Sequence, residues 1–310
     1  MFTAAVTPLD SFIMGMAYSS SLGMFVAGGS DAGVTIAIAT SVDGGVTWVA
    51  QTTPWDGVSV VNRVAWSSDL GLFVAGSQYT AVPTFCTSTN GTVWTPQTSP
   101  VDTFDVSSIV WASSLGLFVA SAIDFTSPFP WDGYVVTSPD GVTWTTRATI
   151  PYVKDISWSP ALGRLVLCAY GSNTGPNWTS PDGITWQQQQ WGTGVFTPAA
   201  AAWVDSIGRF VAVGTDNGIP ERLVATSFDG GVTPWVPQTT PFDDGGVNAV
   251  GVADDGQALV SGNTSWFTGA LMSSPDGMQW RAQPTPFDTP TGYINVMPAS
   301  ATVTVLGGSP

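Results

Sequence analysis

The chain has 310 residues, of which 44% are hydrophobic and only 9% charged, with 35 glycines and 23 prolines, so it can form a large core and many turns. Seven Lys and Arg against 22 Asp and Glu give a net charge of −15, which excludes a basic surface for nucleic acid or anionic membranes. No apolar run approaches the roughly 18 residues of a membrane span, and residues 1–10 lack the basic-then-apolar pattern of a secretory signal.

A phrase rich in Val and Phe and centred on glycine recurs along the chain and defines its repeat. The first copies are SLGMFVAGG (21–29) and DLGLFVAG (69–76). The central glycines of successive copies are 45 to 48 residues apart, at Gly23, Gly71, Gly116, Gly163, Gly208 and Gly256. A period in this range is typical of propeller blades or of helical arrays.

Each repeat divides into four short runs, which in the second repeat are VNRVAW (61–66), GLFVAG (71–76), TFCTS (84–88) and TVWTPQT (92–98). Such runs, rich in Val, Thr, Phe and Trp and bounded by Gly, Pro, Asp and Asn, are typical of strands and hairpins and exclude helical arrays. Four short antiparallel strands per repeat predict a propeller blade. The predicted blades span approximately residues 13–56, 60–102, 107–152, 155–191, 198–243 and 246–288.

The third and fourth strands of each repeat are joined by a recurring turn that ends on tryptophan, as in SVDGGVTW (41–48) and SPDGVTW (138–144). Its Asp or Asn is expected to hydrogen-bond its own backbone, its Gly to supply a positive φ, and its Trp to wedge between neighbouring sheets. The predicted structural residues are Asp43, Asn90, Asp140, Asp182, Asp229 and Asp276 with Trp48, Trp94, Trp144, Trp186, Trp235 and Trp280. The turn resembles the Asp-box, or BNR repeat, of sialidase-like propellers, which implies the fold and not the activity.

The two ends of the chain predict a further blade. Residues 2–10, FTAAVTPLD, resemble the fourth-strand phrase, and residues 293–308 resemble a first and second strand. The expected architecture is therefore an all-β, seven-bladed propeller in one domain over residues 1–310, with six four-stranded blades and a seventh closed by the terminal strands. Because that seventh blade lacks a third strand, it offers a slot where another chain could add a strand.

The residues of enzymatic chemistry are scarce. Sialidases use three arginines, a tyrosine–glutamate pair and an aspartate acid, whereas this chain has one glutamate, Glu221, in a loop beside Arg222. Only Arg63 is expected near the central end of an innermost strand, so the arginine triad cannot be assembled. Without histidine there is no Ser-His-Asp triad and no common zinc site. We therefore expect no enzymatic activity, no metal and no cofactor.

Aromatic residues outside the repeat pattern point instead to binding. A meander places its second-to-third and blade-to-blade loops on one side, here called the loop face, and its first-to-second and third-to-fourth turns on the other, the turn face. Function commonly lies in variable loops on a rigid scaffold. The candidate binding residues on the loop face are Trp55, Tyr79, Trp131, Trp178, Trp266 and Arg63, although each Trp could instead cover its own blade edge.

The scarcity of lysine, the absence of histidine and the GLFVAGG and TSPDGVTW phrases resemble repeats of bacteriophage and other viral structural proteins. That resemblance implies a virion- or tail-associated component at the virion or extracellular surface. Its partners would be other virion proteins or a host-surface glycan. The alternative is a stand-alone lectin or a glycan-processing propeller enzyme. Cys86 and Cys168, in separate strand-like runs, are expected to be unpaired and buried.

Overall fold

The computed structural model describes residues 7–10, 12–78, 84–102, 104–169, 177–189, 191, 196–216, 224–241, 246–253, 255–263, 269–283, 294–296 and 305–307. Within these ranges the strands form six sheets of four antiparallel strands and one sheet of two. In each four-stranded sheet the strands follow one another in chain order, so every sheet is a simple meander. These six sheets are the blades of a β-propeller, which confirms the predicted fold class of the repeats.

The first compact unit, residues 5–153, contains three blades. The first blade has strands β1 (Phe12–Ser19), β2 (Met24–Ser30), β3 (Ile38–Ser41) and β4 (Val49–Gln51). The second has β5 (Val61–Ser67), β6 (Leu72–Ser77), β7 (Phe85–Ser88) and β8 (Thr95–Gln97). The third has β9 (Asp105–Ala112), β10 (Leu117–Asp124), β11 (Asp132–Ser138) and β12 (Thr145–Thr149), with a 3-10 turn at Ser113–Leu115.

The second compact unit, residues 1–4 and 154–310, contains the other three blades and the two-stranded sheet. The fourth blade has β13 (Val153–Ser159), β14 (Arg164–Ala169), β15 (Asn177–Ser180) and β16 (Gln187–Gln189). The fifth has β17 (Phe196–Val204), β18 (Arg209–Asp216), β19 (Val224–Ser227) and β20 (Val236–Gln238), with a 3-10 turn at Asp205–Ile207. The sixth has β21 (Gly246–Val252), β22 (Ala258–Asn263), β23 (Gly269–Ser274) and β24 (Arg281–Ala282).

The prediction of seven blades is wrong, because the C-terminal strands do not build a blade. Strands β25 (Ile294–Val296) and β26 (Val305–Gly307) pair with each other, Ile294 opposite Gly307, in a two-stranded sheet. The described residues after β24 contain no third strand, and the sequence after Trp280 contains no tryptophan turn, whereas both features complete each of the six blades. Of residues 2–10, expected as the closing fourth strand, residues 2–6 lie outside the described residues and residues 7–10 are not in a strand.

The inner strands of neighbouring blades in the first unit approach closely at glycine. A Cβ atom on Gly15 of β1 would lie 2.7 Å from the Arg63 Cα atom of β5. On Gly76 of β6 a Cβ would lie 2.5 Å from Cγ1 of Val106 in β9. Both distances are shorter than a van der Waals contact allows, so glycine sets the spacing of these blades.

The repeated aromatic residues have two different environments. The tryptophans that close the turns are buried at Trp94, Trp144, Trp235 and Trp280 and half-buried at Trp48 and Trp186. The tryptophans at the end of the first strands, Trp66, Trp111, Trp158 and Trp203, are half-buried, although their recurrence at the same position of the repeat predicts core positions. Three of them pack on a phenylalanine of the second strand, with ring centroids 4.4 Å apart for Trp66–Phe73, 4.7 Å for Trp111–Phe118 and 5.0 Å for Trp203–Phe210.

Cys86 and Cys168 are unpaired and buried, as predicted. Burial raises the pKa of the Cys86 thiol to about 12, and burial followed by the Asp155 charge raises that of Cys168. Both thiols are therefore protonated at neutral pH and unreactive. Among the described residues no helix is long and apolar enough to cross a membrane.

Candidate functional site

The aspartates of the recurring turns hold the turn backbone. In the third blade Asp140 Oδ1 accepts hydrogen bonds from the amides of Val142 at 2.8 Å and Thr143 at 2.6 Å, and from the Ser138 hydroxyl at 3.0 Å. Burial raises the pKa of Asp140, but the Thr143 and Val142 amides and the two hydroxyls outweigh it and the net shift is downward. Gly141 has a φ of +74°, which a residue with a side chain rarely adopts.

An asparagine performs the same task in the second blade. Asn90 Oδ1 accepts hydrogen bonds from the amides of Thr92 at 3.0 Å and Val93 at 2.9 Å and from the Ser88 hydroxyl at 3.1 Å. The Trp94 Nε1 group then donates to the Gly91 carbonyl at 3.1 Å. The turn therefore requires the side-chain oxygen but not its negative charge.

Several candidate binding residues are not exposed anchors. Trp55 is fully buried in a core cluster with Val61 and Phe73, so its assignment to an exposed binding surface is corrected to core packing. Trp178 lies within strand β15, opposite Leu167, rather than in a loop, and it is half-buried. Two further candidates, Tyr79 and Trp266, lie outside the described residues, as do Glu221 and Arg222.

Trp131 lies at the centre of a group of aromatic rings on the loop face of the first unit. Its ring centroid is 4.6 Å from that of Phe125, 5.5 Å from that of Phe129 and 5.0 Å from that of Tyr152. The interplanar angles are 79°, 87° and 86°, which are edge-to-face packings. Phe129 is 66% exposed and the other three rings are half-buried, so this aromatic cluster presents apolar surface to solvent.

The loop that carries the aromatic cluster is held where it enters β11. The Tyr152 amide donates to the Trp131 carbonyl at 2.9 Å, and the Ile150 amide donates to the Gly133 carbonyl at 2.8 Å. A Cβ on Gly133 would lie 2.3 Å from the Ile150 carbonyl oxygen, so the two segments approach because this position is glycine. The connection after β12 is thereby fixed against the loop between β10 and β11.

Side-chain hydrogen bonds order the rest of that loop. The Ser127 hydroxyl donates to the Asp124 carbonyl at 2.8 Å and accepts from the Asp132 amide at 2.7 Å. Asp124 Oδ1 accepts from the Thr126 amide at 2.8 Å. A loop with this many internal hydrogen bonds is ordered before any ligand arrives, which lowers the entropic cost of binding.

Two carboxylates flank the aromatic cluster. Asp124 ends β10 and Asp132 begins β11, and the two residues are paired across the strands. Burial raises the pKa of the nearby Tyr134 phenol, and the charges of Asp132 and Asp124 raise it further. The cluster thus combines apolar ring faces with hydrogen-bond acceptors, which is the chemistry that recognises an amphipathic ligand.

A second polar group lies on the innermost strands of the first unit. Arg63, predicted as a binding residue, is half-buried, and its Nη1 donates to the carbonyls of Met14 and Asn62, both at 2.8 Å. Asn62 Nδ2 donates to the carboxylate of Asp105 and, at 3.2 Å, to the carbonyl of Val106. Arg63 therefore ties together neighbouring blades.

Asp105 is a buried carboxyl group with a raised pKa. Burial raises this pKa to about 6, opposed by the Arg63 charge and by the hydrogen bond from Asn62. Asp105 is 8% exposed, and Asn62 Oδ1 is buried with no hydrogen-bond partner among the described atoms. The same described part of the chain holds no group of three or more His, Cys, Asp or Glu side chains suited to a metal ion.

Sequence reasoning found Trp131 but missed its three neighbours. Phe125 and Phe129 stand in the same loop, DFTSPFPWDG, and their spacing about the prolines was the available signal. Tyr152 lies in the connection between the third and fourth blades. Asp105 begins strand β9, whose sequence carries no signal of a functional residue. Only the fold brings these residues to their partners.

By sequence, the chain matches no known protein family and no curated protein. Its fold is similar to virginiamycin B lyase from Staphylococcus aureus, with a TM-score of 0.73 and 12% identity over 96% of this chain and 92% of that one. YCF48 bound to D1 peptide has a TM-score of 0.62 and 17% identity, covering 89% and 82%. A luciferin-regenerating enzyme has a TM-score of 0.54 and 10% identity, covering 90% and 94%. At these identities the similarity shows the β-propeller fold alone.

Proposed function

We propose that the protein is a non-enzymatic attachment propeller that binds a host-surface glycan through the aromatic cluster of Phe125, Phe129, Trp131 and Tyr152. The observation that carries this proposal is the 66% exposure of Phe129 beside the three packed rings. The apolar face of a sugar ring packs on aromatic side chains, while its hydroxyls donate to carboxylates such as Asp124 and Asp132. An ordered loop that displays both features is suited to that ligand.

The proposed setting is a virion or phage tail, at the virion or extracellular surface, with other virion proteins as neighbours. The support comes from the sequence: a single lysine, no histidine and the repeated GLFVAGG and TSPDGVTW phrases. A nonspecific charge attraction to the host is disfavoured by the net charge of −15, because cell surfaces and nucleic acids are also anionic. Attachment then depends on specific contacts, such as those of the aromatic cluster.

A glycan array with the wild-type chain tests this function. We expect a restricted set of sugars to bind, and we expect Trp131→Ala to lose the same set. The matched control is Val58→Thr, which changes a residue that is 64% exposed in the β4–β5 connection and outside the aromatic cluster. An array with no bound sugar, or equal binding by Trp131→Ala, would contradict glycan attachment at this site.

A glycan-processing enzyme is the second candidate, and Asp105 is the observation that favours it. A carboxyl group with a pKa of about 6 is suited to act as a general acid. The fold permits either role, since the similar propellers include two enzymes as well as the peptide-binding YCF48. Incubation of the bound sugars with wild-type and Asp105→Asn protein distinguishes glycan binding from glycan hydrolysis. Hydrolysis by the wild type alone would establish catalysis.

A further inference from the structure

The turn face of the first unit exposes an aliphatic side chain in the tryptophan turn of each blade. Val46 in the first blade is 70% exposed, Val93 in the second 66% and Val142 in the third 48%. Val46 and Val142 stand two residues before the tryptophan that closes their turn and Val93 stands one residue before it, and these tryptophans are buried or half-buried. Periodic exposure of this kind is unlike the single scattered apolar residues of ordinary surfaces.

These exposed residues lie on neighbouring turns. A Cβ on Gly91, in the second blade's turn, would lie 2.6 Å from Met24 Sδ at the start of β2. A Cβ on Gly141, in the third blade's turn, would lie 2.9 Å from Leu72 Cδ2 at the start of β6. Each turn therefore sits beside the first-to-second turn of the preceding blade, where Leu22 and Leu70 are also exposed.

Negative charge is interleaved with this apolar surface. Asp43 and Asp140 stand three and two residues before the exposed valines of their turns, and both side chains are exposed. The Thr47 hydroxyl and amide lower the pKa of Asp43 to about 2, so it is ionised throughout the neutral range. The same arrangement recurs in the second unit, where Ile184, Val232 and Met278 are exposed beside Asp182, Asp229 and Asp276.

We propose that the turn face is a second interaction surface, which binds a protein partner that presents basic and aliphatic side chains together. Charge complementarity selects this occupant. A second copy of the chain would bring ionised aspartates against each other, and an anionic lipid surface would be repelled in the same way. A partner with Lys or Arg among Leu, Ile or Val neutralises the carboxylates while it covers the valines.

The chain itself supplies variants that separate the apolar from the ionic contribution. Asn90 shows that a single amide oxygen maintains the turn, so Asp43→Asn with Asp140→Asn removes two charges while the remaining Oδ1 of each residue still accepts from the turn amides. A triple variant, V46T/V93T/V142T, makes the surface polar at nearly constant volume. The control V58T changes an equally exposed valine on the loop face.

The experiment is a binding titration of the full chain with a synthetic amphipathic peptide of leucine and lysine, with a leucine–glutamate peptide for comparison. We expect only the basic peptide to bind, and we expect both the triple threonine variant and the double asparagine variant to weaken it by about tenfold or more, whereas V58T leaves it unchanged. Equal binding by the triple variant, or equal weakening by V58T, would overturn the proposal. Wild-type self-association or binding to phosphatidylserine vesicles that the triple threonine variant abolishes would also overturn it, because the occupant would then be a second copy or a lipid surface.

Discussion

Phe85 of the second blade stacks on Trp144 of the third, with ring centroids 4.1 Å apart and planes at 9° to each other. The turn tryptophan thus bridges two blades through an aromatic contact in a buried core. Trp144→Ala removes this contact and leaves a cavity, so we expect a loss of about 3–5 kcal/mol in the free energy of unfolding. Urea unfolding measures this free energy, and a loss below about 1 kcal/mol would contradict the role of Trp144 as a wedge between the two blades.

The turn aspartates should contribute less. Asp140→Ala removes the acceptor for two backbone amides, as loss of a helix cap does, and we expect a cost of about 0.5–2 kcal/mol. Asp140→Asn should recover most of that stability, because Asn90 makes the same bonds in the second blade. Thermal unfolding of both variants beside the wild type provides the comparison. Equal destabilisation by Ala and Asn would show that charge, and not the acceptor, holds the turn.

Asp105 should impose a pH dependence on stability of the opposite sign to that of the turn aspartates. Its folded pKa of about 6 is above the ordinary value of 3.8, so its contribution is fully favourable below the ordinary pKa and is lost as pH rises through 6. Asp105→Asn should therefore flatten the stability profile between these pH values and raise stability at pH 7, by on the order of 3 kcal/mol. Chemical unfolding across the pH range measures it, and a variant that is less stable than wild type at pH 7 would contradict the assignment.

Gly133 should control the order of the aromatic cluster. A Cβ at this position would meet the Ile150 carbonyl at 2.3 Å, a backbone atom that cannot rotate away. Gly133→Ala should therefore separate the two segments that carry Trp131 and Tyr152 and weaken glycan binding together with stability. Near-ultraviolet circular dichroism reports the ring packing, and an unchanged aromatic signal would refute the expected separation.

The repeat pattern gave reliable information about the blades because local physics determines them. Alternating apolar residues, the turn Asp or Asn and the glycines with positive φ each act within one blade, so phrases such as SPDGVTW predict strand, turn and strand without knowledge of the rest. The predicted number of blades was wrong because a local phrase indicates a strand but does not show that the strand belongs to a complete blade. Strand phrases at 293–308 indicate strands, but a blade also needs a third strand and a Trp turn, which that sequence does not contain.

The candidate site was less accessible to sequence reasoning because it depends on long-range contacts. Trp55 and Trp131 both stand outside the repeat pattern, yet Trp55 is completely buried and Trp131 is half-buried beside the exposed Phe129. Burial of Trp55 depends on Val61 and Phe73 in the next blade, and exposure of Trp131 depends on the path of its own loop. The residues next to each tryptophan in the sequence do not determine either condition.

The most direct test of glycan attachment is calorimetric titration of the best-binding array glycan into wild-type, Phe129→Ala and Val58→Thr protein. Phe129 contributes ring surface that is mostly in solvent, so its removal should leave the unfolding temperature nearly unchanged. We expect Phe129→Ala to weaken binding about tenfold or more and Val58→Thr to bind as the wild type does. Wild-type affinity in Phe129→Ala would contradict the central claim that the aromatic cluster is the binding site.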